Sequence, residues 1–344
     1  MFHVKNPRKQ SVRLVHDGAA LHQGVCINSV LLQGPDLNNN LRGVLMRFRE
    51  HPVAFIADVE SMLKNFRVPR DQRDYLRFFW YRDNDPNKPL VEYRATVHIF
   101  GCTSSPVVAT FGLQFCTRGD WPADYAVAIL YIMLNFYVDD GLGSAPTAEK
   151  AINNLTKARE ILSKYGIWLH KIMSNSQQVL NHFPVSERAM SKEDLIPSHC
   201  SIQHALGVAW DPSCDLFTMM PRLAPRKFTK RGVVGSVNSV FDPAGLVTPM
   251  ALKGKLYQRE IIPQKKKTPG VHTIGWDELL PEEKREKWEE WVKSLPEMER
   301  IEVPRALTPP TMTPVRQELH VFCDASEAAI GHVAYLRTVS VRPR

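Results

Sequence analysis

The chain has little of what a secreted, membrane-embedded or disulfide-stapled protein needs. Its six cysteines, at 26, 102, 116, 200, 214 and 323 of 344 residues, are scattered and never form Cys-x-x-Cys. A chain of this size buries a core without covalent staples, so a reducing compartment is expected. His199, Cys200 and His204 have no second pair of ligands at zinc-finger spacing, which argues against a structural zinc. The longest apolar run, Tyr125 to Val138, has 14 uncharged residues and ends on Asp139 and Asp140. That is short of the ~20 residues that cross a bilayer, and it reads as a buried helix and strand. No apolar stretch with a small-residue cleavage site follows Met1-Phe2-His3-Val4-Lys5, so secretion is not expected and a cytoplasmic protein is. There is no Asp-Thr-Gly or Asp-Ser-Gly, which excludes an aspartic protease, and there is no internal repeat or long low-complexity tract.

What is present fits a globular protein of two domains and a remainder. Apolar residues make up 44% and charged residues 23%, and 44 Lys and Arg against 36 Asp and Glu give a net charge of +8. That excess is local. Residues 221–268 hold eleven Lys or Arg and two acids, a net of +9, which leaves −1 for the rest of the chain. A segment so basic suits a polyanionic partner. Lys265-Lys266-Lys267 within it read most simply as a solvated loop.

Local patterns place the elements. Val53 to Asp58 is a β-forming apolar run that ends on a carboxylate, hence a buried strand presenting Asp58. Strict alternation from Val91 to Ile99, with Tyr75 to Tyr81 before it and a turn-rich 83–89 between, predicts an antiparallel hairpin. Ser105-Pro106 opens a helix, since Pro is tolerated in a first turn. A second helical stretch starts at Trp121. Thr147 caps a helix whose apolar positions, Ala151, Leu155, Ala158, Leu162 and Tyr165, recur every three or four residues until Gly166 stops it. Another helix, from Pro281 to Leu295, carries Trp288, Trp291, Val292 and Leu295 on one side. By their apolar surroundings Trp210, Trp288 and Trp291 read as core aromatics.

The strongest chemical signal is Tyr137-Val138-Asp139-Asp140, two adjacent carboxylates at a tight turn after an apolar segment, with Asp58 at another strand end. Neighbouring carboxylates repel, so a cation between them is the natural partner. Mg²⁺ takes one or two carboxylates plus phosphate oxygens, and two such ions can hold both the attacking and the leaving oxygen of a phosphoryl transfer. An isolated Asp-Asp-Gly is more often just a hairpin turn.

The ordered set of motifs resembles reverse transcriptases, specifically the polymerase of Pao/BEL-type LTR retrotransposons, over nearly the whole chain. Val12 to Asp17 resembles the fingers motif whose Arg, here Arg13, approaches the triphosphate, and Asn28 to Leu37 resembles the segment that follows. Ala57 to Leu63 is similar to motif A, with Asp58 as a metal ligand. Phe100 to Pro106 is similar to motif B, so Phe100 and Gly101 would face the nucleotide. Phe136 to Asp140 is similar to motif C, and Leu169-His170-Lys171 with Ser174-Asn175 to motif D, whose Lys lies near the leaving pyrophosphate. Leu206 to Asp211 resembles the primer-gripping hairpin, which would put Gly207 and Trp210 against primer or template together with Lys227, Lys230 and Arg231. Phe241 to Leu246 after Thr229-Lys230-Arg231 is typical of the Pao group. His320 to Ser326 resembles the first strand of an RNase H domain, with Asp324 as its first carboxylate.

The resemblance implies an α+β fold: a right-hand palm, an antiparallel sheet backed by helices, with partial fingers and a mostly helical thumb-like region. Its boundaries would be 1–190 for fingers and palm, 191–303 for the primer-grip and thumb-like region, 304–318 for a Pro-rich linker and 319–344 for the start of an RNase H-like domain. It implies an RNA-directed DNA polymerase using two Mg²⁺, or Mn²⁺, on Asp58, Asp139 and Asp140, with Lys171 assisting. RNA template, DNA primer and deoxynucleoside triphosphates would be its partners, and the cytoplasm, a virus-like particle or the nucleus its location. Two departures point the other way. Leu63 stands where an aromatic normally screens the sugar 2′-OH and is the nucleotide-facing residue of this motif, and the chain runs only about one hairpin into RNase H, so RNase H activity is not expected. The alternative is a catalytically silent remnant that only binds nucleic acid.

Overall fold

The computed structural model describes residues 2–5, 12–189, 203–205, 208–219, 226–262, 274–309, 312 and 314–340. It separates into two compact units, one of Met1–Val44 and Ala54–Met190, the other of Leu45–Val53 and Ser191–Arg344.

In the first unit, strands β1 (Phe2–Lys5) and β2 (Val12–Val15) form an antiparallel pair, followed by the short helix α1 (Ile27–Val30); helix α2 (Leu41–Phe48) begins in this unit and its second half, from Leu45, belongs to the other. Strand β3 (Val53–Val59) realises the expected apolar run, with Ala54 to Ala57 buried and Asp58 half-buried. The hairpin of β4 (Arg77–Tyr81) and β5 (Leu90–Arg94) is antiparallel as expected. It is shorter than its alternation, because beyond Arg94 only an isolated bridge, Val97 to Arg67, continues the pairing. Helix α3 (Ser105–Cys116) has Pro106 in its first turn, and the uncharged run folds as α4 (Ala126–Leu134) and β6 (Phe136–Tyr137) before β7 (Asp140–Ala145). Among the described residues no helix is long and apolar enough to cross a membrane.

Helix α5 (Ala148–Ser163) starts where its cap requires: the Thr147 hydroxyl accepts a bond from the Lys150 amide at 3.3 Å. Ala151, Leu155, Ala158, Ile161 and Leu162 are fully buried along one face, each large aliphatic contributing about 1.5–3 kcal/mol. Tyr165, expected on that face, is 44% exposed, because the helix has already ended at Ser163. Strand β8 (Leu169–Ser174) and helix α6 (Gln177–His182) complete the unit. Its central sheet runs β6-β7-β3-β8, with α4 and α5 packed together and against β7.

The second unit has a four-stranded sheet ordered β12-β11-β10-β9, from β9 (Gln203–Ala205), β10 (Val208–Asp211), β11 (Leu216–Thr218) and β12 (Glu302–Pro304). Helices α7 (Lys230–Ser239), α8 (Thr248–Ile261) and α9 (Arg285–Ser294) share a core of Phe228, Val233, Tyr257, Trp288, Trp291 and Leu295. The Trp288 and Trp291 rings lie 5.0 Å apart, so both are core aromatics. A long exposed hairpin, β13 (Pro314–Ala325) and β14 (Ile330–Ser340), follows.

The Pro-rich stretch read as a linker over 304–318 behaves differently. Pro304 closes a strand, Arg305 is fully buried, and β13 already begins at Pro314. The Arg305 guanidinium meets Asp215 at 2.7 and 2.9 Å, donates to the carbonyls of Phe48, His51 and Pro52, and lies 5.3 Å from the Phe48 ring centroid. A fork of five donors with this many acceptors explains why the charge tolerates burial.

Candidate active site

Asp58 and the Asp139-Asp140 pair are brought together by the central sheet. Strands β6 and β7 join through a two-residue turn, Tyr137 opposite Asp140, with Val138 and Asp139 at its tip. Val138 has φ 58°, a left-handed conformation that a β-branched residue adopts at a cost of about 1–2 kcal/mol. Strain of this kind persists only where surroundings hold it. Here Asn135 Nδ2 donates to the Leu142 carbonyl at 2.6 Å, Tyr131 OH donates to Gly141 O at 3.0 Å, and Asn39 Nδ2 reaches the carbonyls of Met133 and Phe136. At Gly141 a Cβ would stand 2.4 Å from the Phe136 ring, so the residue after the two carboxylates must be glycine. The tip is tied to β3 through the backbone, the Val59 amide donating to the Asp139 carbonyl at 2.9 Å.

Electrostatics follow from that crowding. Burial, then the Asp139 and Asp58 charges, push the Asp140 carboxyl up to about 7, against a smaller opposing effect from Lys171. Burial likewise raises the Tyr131 hydroxyl, with Asp140 adding to it.

Asp58 itself is held by a feature sequence reasoning missed. Strands β3 and β8 pair Ile56 with Met173 and Asp58 with His170, so β8 carries one extra residue between those pairs. Lys171, inside that bulge, has φ 49°. In a regular strand His170 and Lys171 would point to opposite faces; the bulge lets both reach one carboxylate. His170 Nε2 donates to Asp58 Oδ1 and Lys171 Nζ to Oδ2, both at 2.7 Å. The only local signal is two consecutive basic residues opposite an acid across a strand pair, which alternation alone would discard. Ser174 and Asn175 act one step further along: Ser174 Oγ donates to the Ala54 carbonyl at 2.6 Å, and the Asn175 side chain accepts from the Ala54 amide at 2.9 Å, fixing where β3 begins.

Among the described residues no three His, Cys, Asp or Glu side chains gather closely enough to enclose a metal ion. The donor chemistry of Asp58, Asp139 and Asp140 nevertheless suits a hard divalent cation, since three carboxylates in electrostatic contact, one holding a proton near pH 7, offer only oxygen ligands.

The other expected residues divide. Gly101 has φ 105°, and a Cβ there would lie 1.8 Å from the His16 carbonyl, so glycine is obligatory. Asn28 clamps this loop from the segment 16–28, donating to Gly101 O at 2.9 Å and accepting from the Thr103 amide at 3.0 Å. Phe100 is 52% exposed beside it. Arg13 sits in β2 opposite Val4. Leu63 is buried, at 8% exposure, in a short 3₁₀ turn that follows β3. Trp210 is fully buried, edge-on to Phe48 at 5.0 Å, with its Nε1 donating to Asp215; it is a core aromatic and has no surface for a primer. Lys230 Nζ donates to the Ile274 carbonyl at 2.7 Å, and Arg231 forms a two-point pair with Asp277 at 2.6 and 3.1 Å. Lys227 is exposed. Asp324 is exposed on β13, its carboxylate accepting from the Ala325 amide. Gly207, Lys265 to Lys267, His199 and Cys200 lie outside the described residues.

Comparison with known proteins bears on this arrangement. Residues 229–343 match the family model described as the Pao retrotransposon-like RNaseH-like domain. The match covers the C-terminal third of the chain. The matched segment takes in helices α7 to α9 as well as the final hairpin. The chain as a whole is similar to a solved foamy viral protease-reverse transcriptase in complex with double-stranded DNA, with a TM-score of 0.57 and 14% identity over 97% of this chain. At that identity the shared property is the fold, which is reverse-transcriptase-like: α+β with antiparallel sheets. The chain spans about half, 48%, of that protein's length. No curated protein matches it.

Proposed function

We propose that the chain is the polymerase portion of a Pao/BEL-type retrotransposon reverse transcriptase, transferring nucleotides to a primer 3′-OH on an RNA template. The observation that carries this reading is the strained Val138 turn, which sets Asp139 and Asp140 beside Asp58 in a site where burial first, and the neighbouring carboxylates second, push Asp140 up to about 7. Strain and like-charge crowding at one point favour a site kept for chemistry over an ordinary hairpin. Asp58, Asp139 and Asp140 would hold Mg²⁺, or Mn²⁺, which supplies charge neutralisation at the attacking and leaving oxygens. His170 and Lys171 orient the Asp58 carboxylate, and Phe100 presents an exposed ring to the incoming deoxynucleoside triphosphate from a loop that Gly101 and Asn28 fix.

Primer extension on poly-rA with oligo-dT tests the proposal. Incorporation by the wild-type chain should fall by at least about 100-fold in Asp139→Asn; equal incorporation by both proteins would sink it. A second reading, a protein that binds nucleic acid without polymerising, is favoured by one feature: both Asp58 oxygens are already taken by His170 and Lys171. Salt-sensitive binding with no extension would support that reading.

A further inference from the structure

We infer that a cleft beside the 3₁₀ segment Arg70–Leu76, in the first unit, is a binding site for a small flat cation: an aromatic ring bearing an amidine or amino group. The site is separate from Asp58, Asp139 and Asp140, none of which lines it, and it does not depend on whether the chain polymerises.

The cleft has a volume of about 630 Å³, in the range that takes a drug-sized ligand. Its floor belongs to the smaller apolar cluster of the unit, in which Val68, Leu76 and Cys102 are buried and Leu31 packs against them. Its rim is polar. Asp71, Gln72, Tyr75 and Ser104 line it, and among the described residues none of their side chains forms a hydrogen bond or ion pair within the protein. The Ser105 hydroxyl, at the back, is already committed, donating to the Ile99 carbonyl at 2.9 Å and lying 3.5 Å from His98 Nδ1.

Charge decides what such a cleft takes. No lysine or arginine lines it, and its one formal charge is the Asp71 carboxylate. Asp74, one 3₁₀ turn further on, is answered by Arg77 at 3.2 Å and Arg94 at 2.9 Å, whereas Asp71 has no counterion among the described residues. The other titratable groups inside stay neutral: burial holds the His98 imidazole below its usual value and the Cys102 thiol above its own. A phosphate or carboxylate ligand would meet the Asp71 charge with nothing to neutralise it. A cation gains that charge, and a planar amidine presents two parallel N–H donors that match a carboxylate. The ring of such a ligand covers Val68 and Leu76, and Tyr75, 64% exposed at the rim, offers its own ring face to the cation.

Calorimetric titration of the full chain with three probes of one shape and different charge tests this: naphthamidine, naphthamide and naphthoate. The cationic amidine should bind about 10-fold more tightly than the anionic naphthoate, with the neutral amide between them. Asp71→Asn should weaken the amidine about 3–5-fold and leave the amide unchanged. Val30→Trp, at a lining position 59% exposed, should fill the mouth and weaken all three. Both changes are at exposed positions, and a thermal melt of each variant confirms folding. Naphthoate bound as tightly as the amidine would overturn the inference, and so would an Asp71→Asn protein that melts like the wild type with unchanged amidine affinity. Amidine binding kept in Val30→Trp but lost in Asp139→Asn would place the cation at the three carboxylates and overturn it as well. If the wild-type chain bound no amidine at millimolar concentration, the site would fall while the polymerase reading stood.

Discussion

Two clusters of charge, one in each unit, are built on opposite terms. In the second unit Arg305 is completely buried but fully answered: one carboxylate, three carbonyls and an aromatic face surround its guanidinium. In the first unit Asp58, Asp139 and Asp140 crowd one another, sit only half-buried, and leave Asp140 holding a proton up to about pH 7. A matched buried ion pair is how a protein keeps a charge it needs for structure. Like charges crowded beside a strained turn are destabilising to the fold even where His170 and Lys171 meet one of them, and they make physical sense at a site kept for chemistry.

Four changes would break or sharpen that contrast. The largest effect belongs to Arg305: Arg305→Ala strands Asp215 and several carbonyls, and should destabilise the second unit by about 3–5 kcal/mol in a denaturant titration. A loss below about 1 kcal/mol would mean that the cluster does not carry the fold. Next is the proton on Asp140. Its folded pKa, about 7, lies above the ordinary aspartate value of 3.8, so the folded state binds the extra proton between those values. Stability is therefore complete below pH 4 and declines as pH rises through about 7, by about 2 kcal/mol after allowing for partial solvent access. Asp140→Asn should abolish that slope, and parallel pH–stability curves for the two proteins would contradict the shift.

A smaller effect is expected at the turn. Val138→Gly relieves the left-handed strain but adds freedom to the unfolded chain, so it should range from neutral to about 1 kcal/mol stabilising; a clear loss in its melt would show that Val138 packs against something that offsets its strain. Smallest for folding is Lys171→Met. The pair with Asp58 is partly solvent-exposed, and such pairs contribute about 0–1 kcal/mol. Removing the cation should nevertheless tighten Mn²⁺ binding several-fold in a calorimetric titration, because Lys171 competes for Asp58 Oδ2. Unchanged affinity would mean that Asp58 is not a ligand.

Much of the first unit was legible because its signals are local. The apolar run ending on Asp58, the Thr147 cap and the spacing of Ala151, Leu155, Ala158 and Leu162 each follow from the conformational preferences of a few adjacent residues. The bulge at Lys171 was not, since it depends on β3 lying next to β8 across more than a hundred residues. The Pro-rich 304–318 stretch misled for a related reason: prolines announce a connector, but Pro304 and Arg305 are held by partners at 48–52 and 211–217 that no local rule can find. The engagement of Lys230 and Arg231 within the protein belongs to the same class, because composition counts cations without showing which already have a partner.

By itself, then, the sequence determined the carboxylates, the glycines at 101 and 141, the amphipathic helices and the location of the positive charge, since each is a matter of residue type and near-neighbour spacing. Only the tertiary structure decided which charges are answered and which are left open. Pairing, burial and desolvation arise between segments far apart in the chain, and those three decide whether Arg305 is a strut, Trp210 a core residue, Asp140 a proton holder and Asp71 an unanswered charge at a cleft.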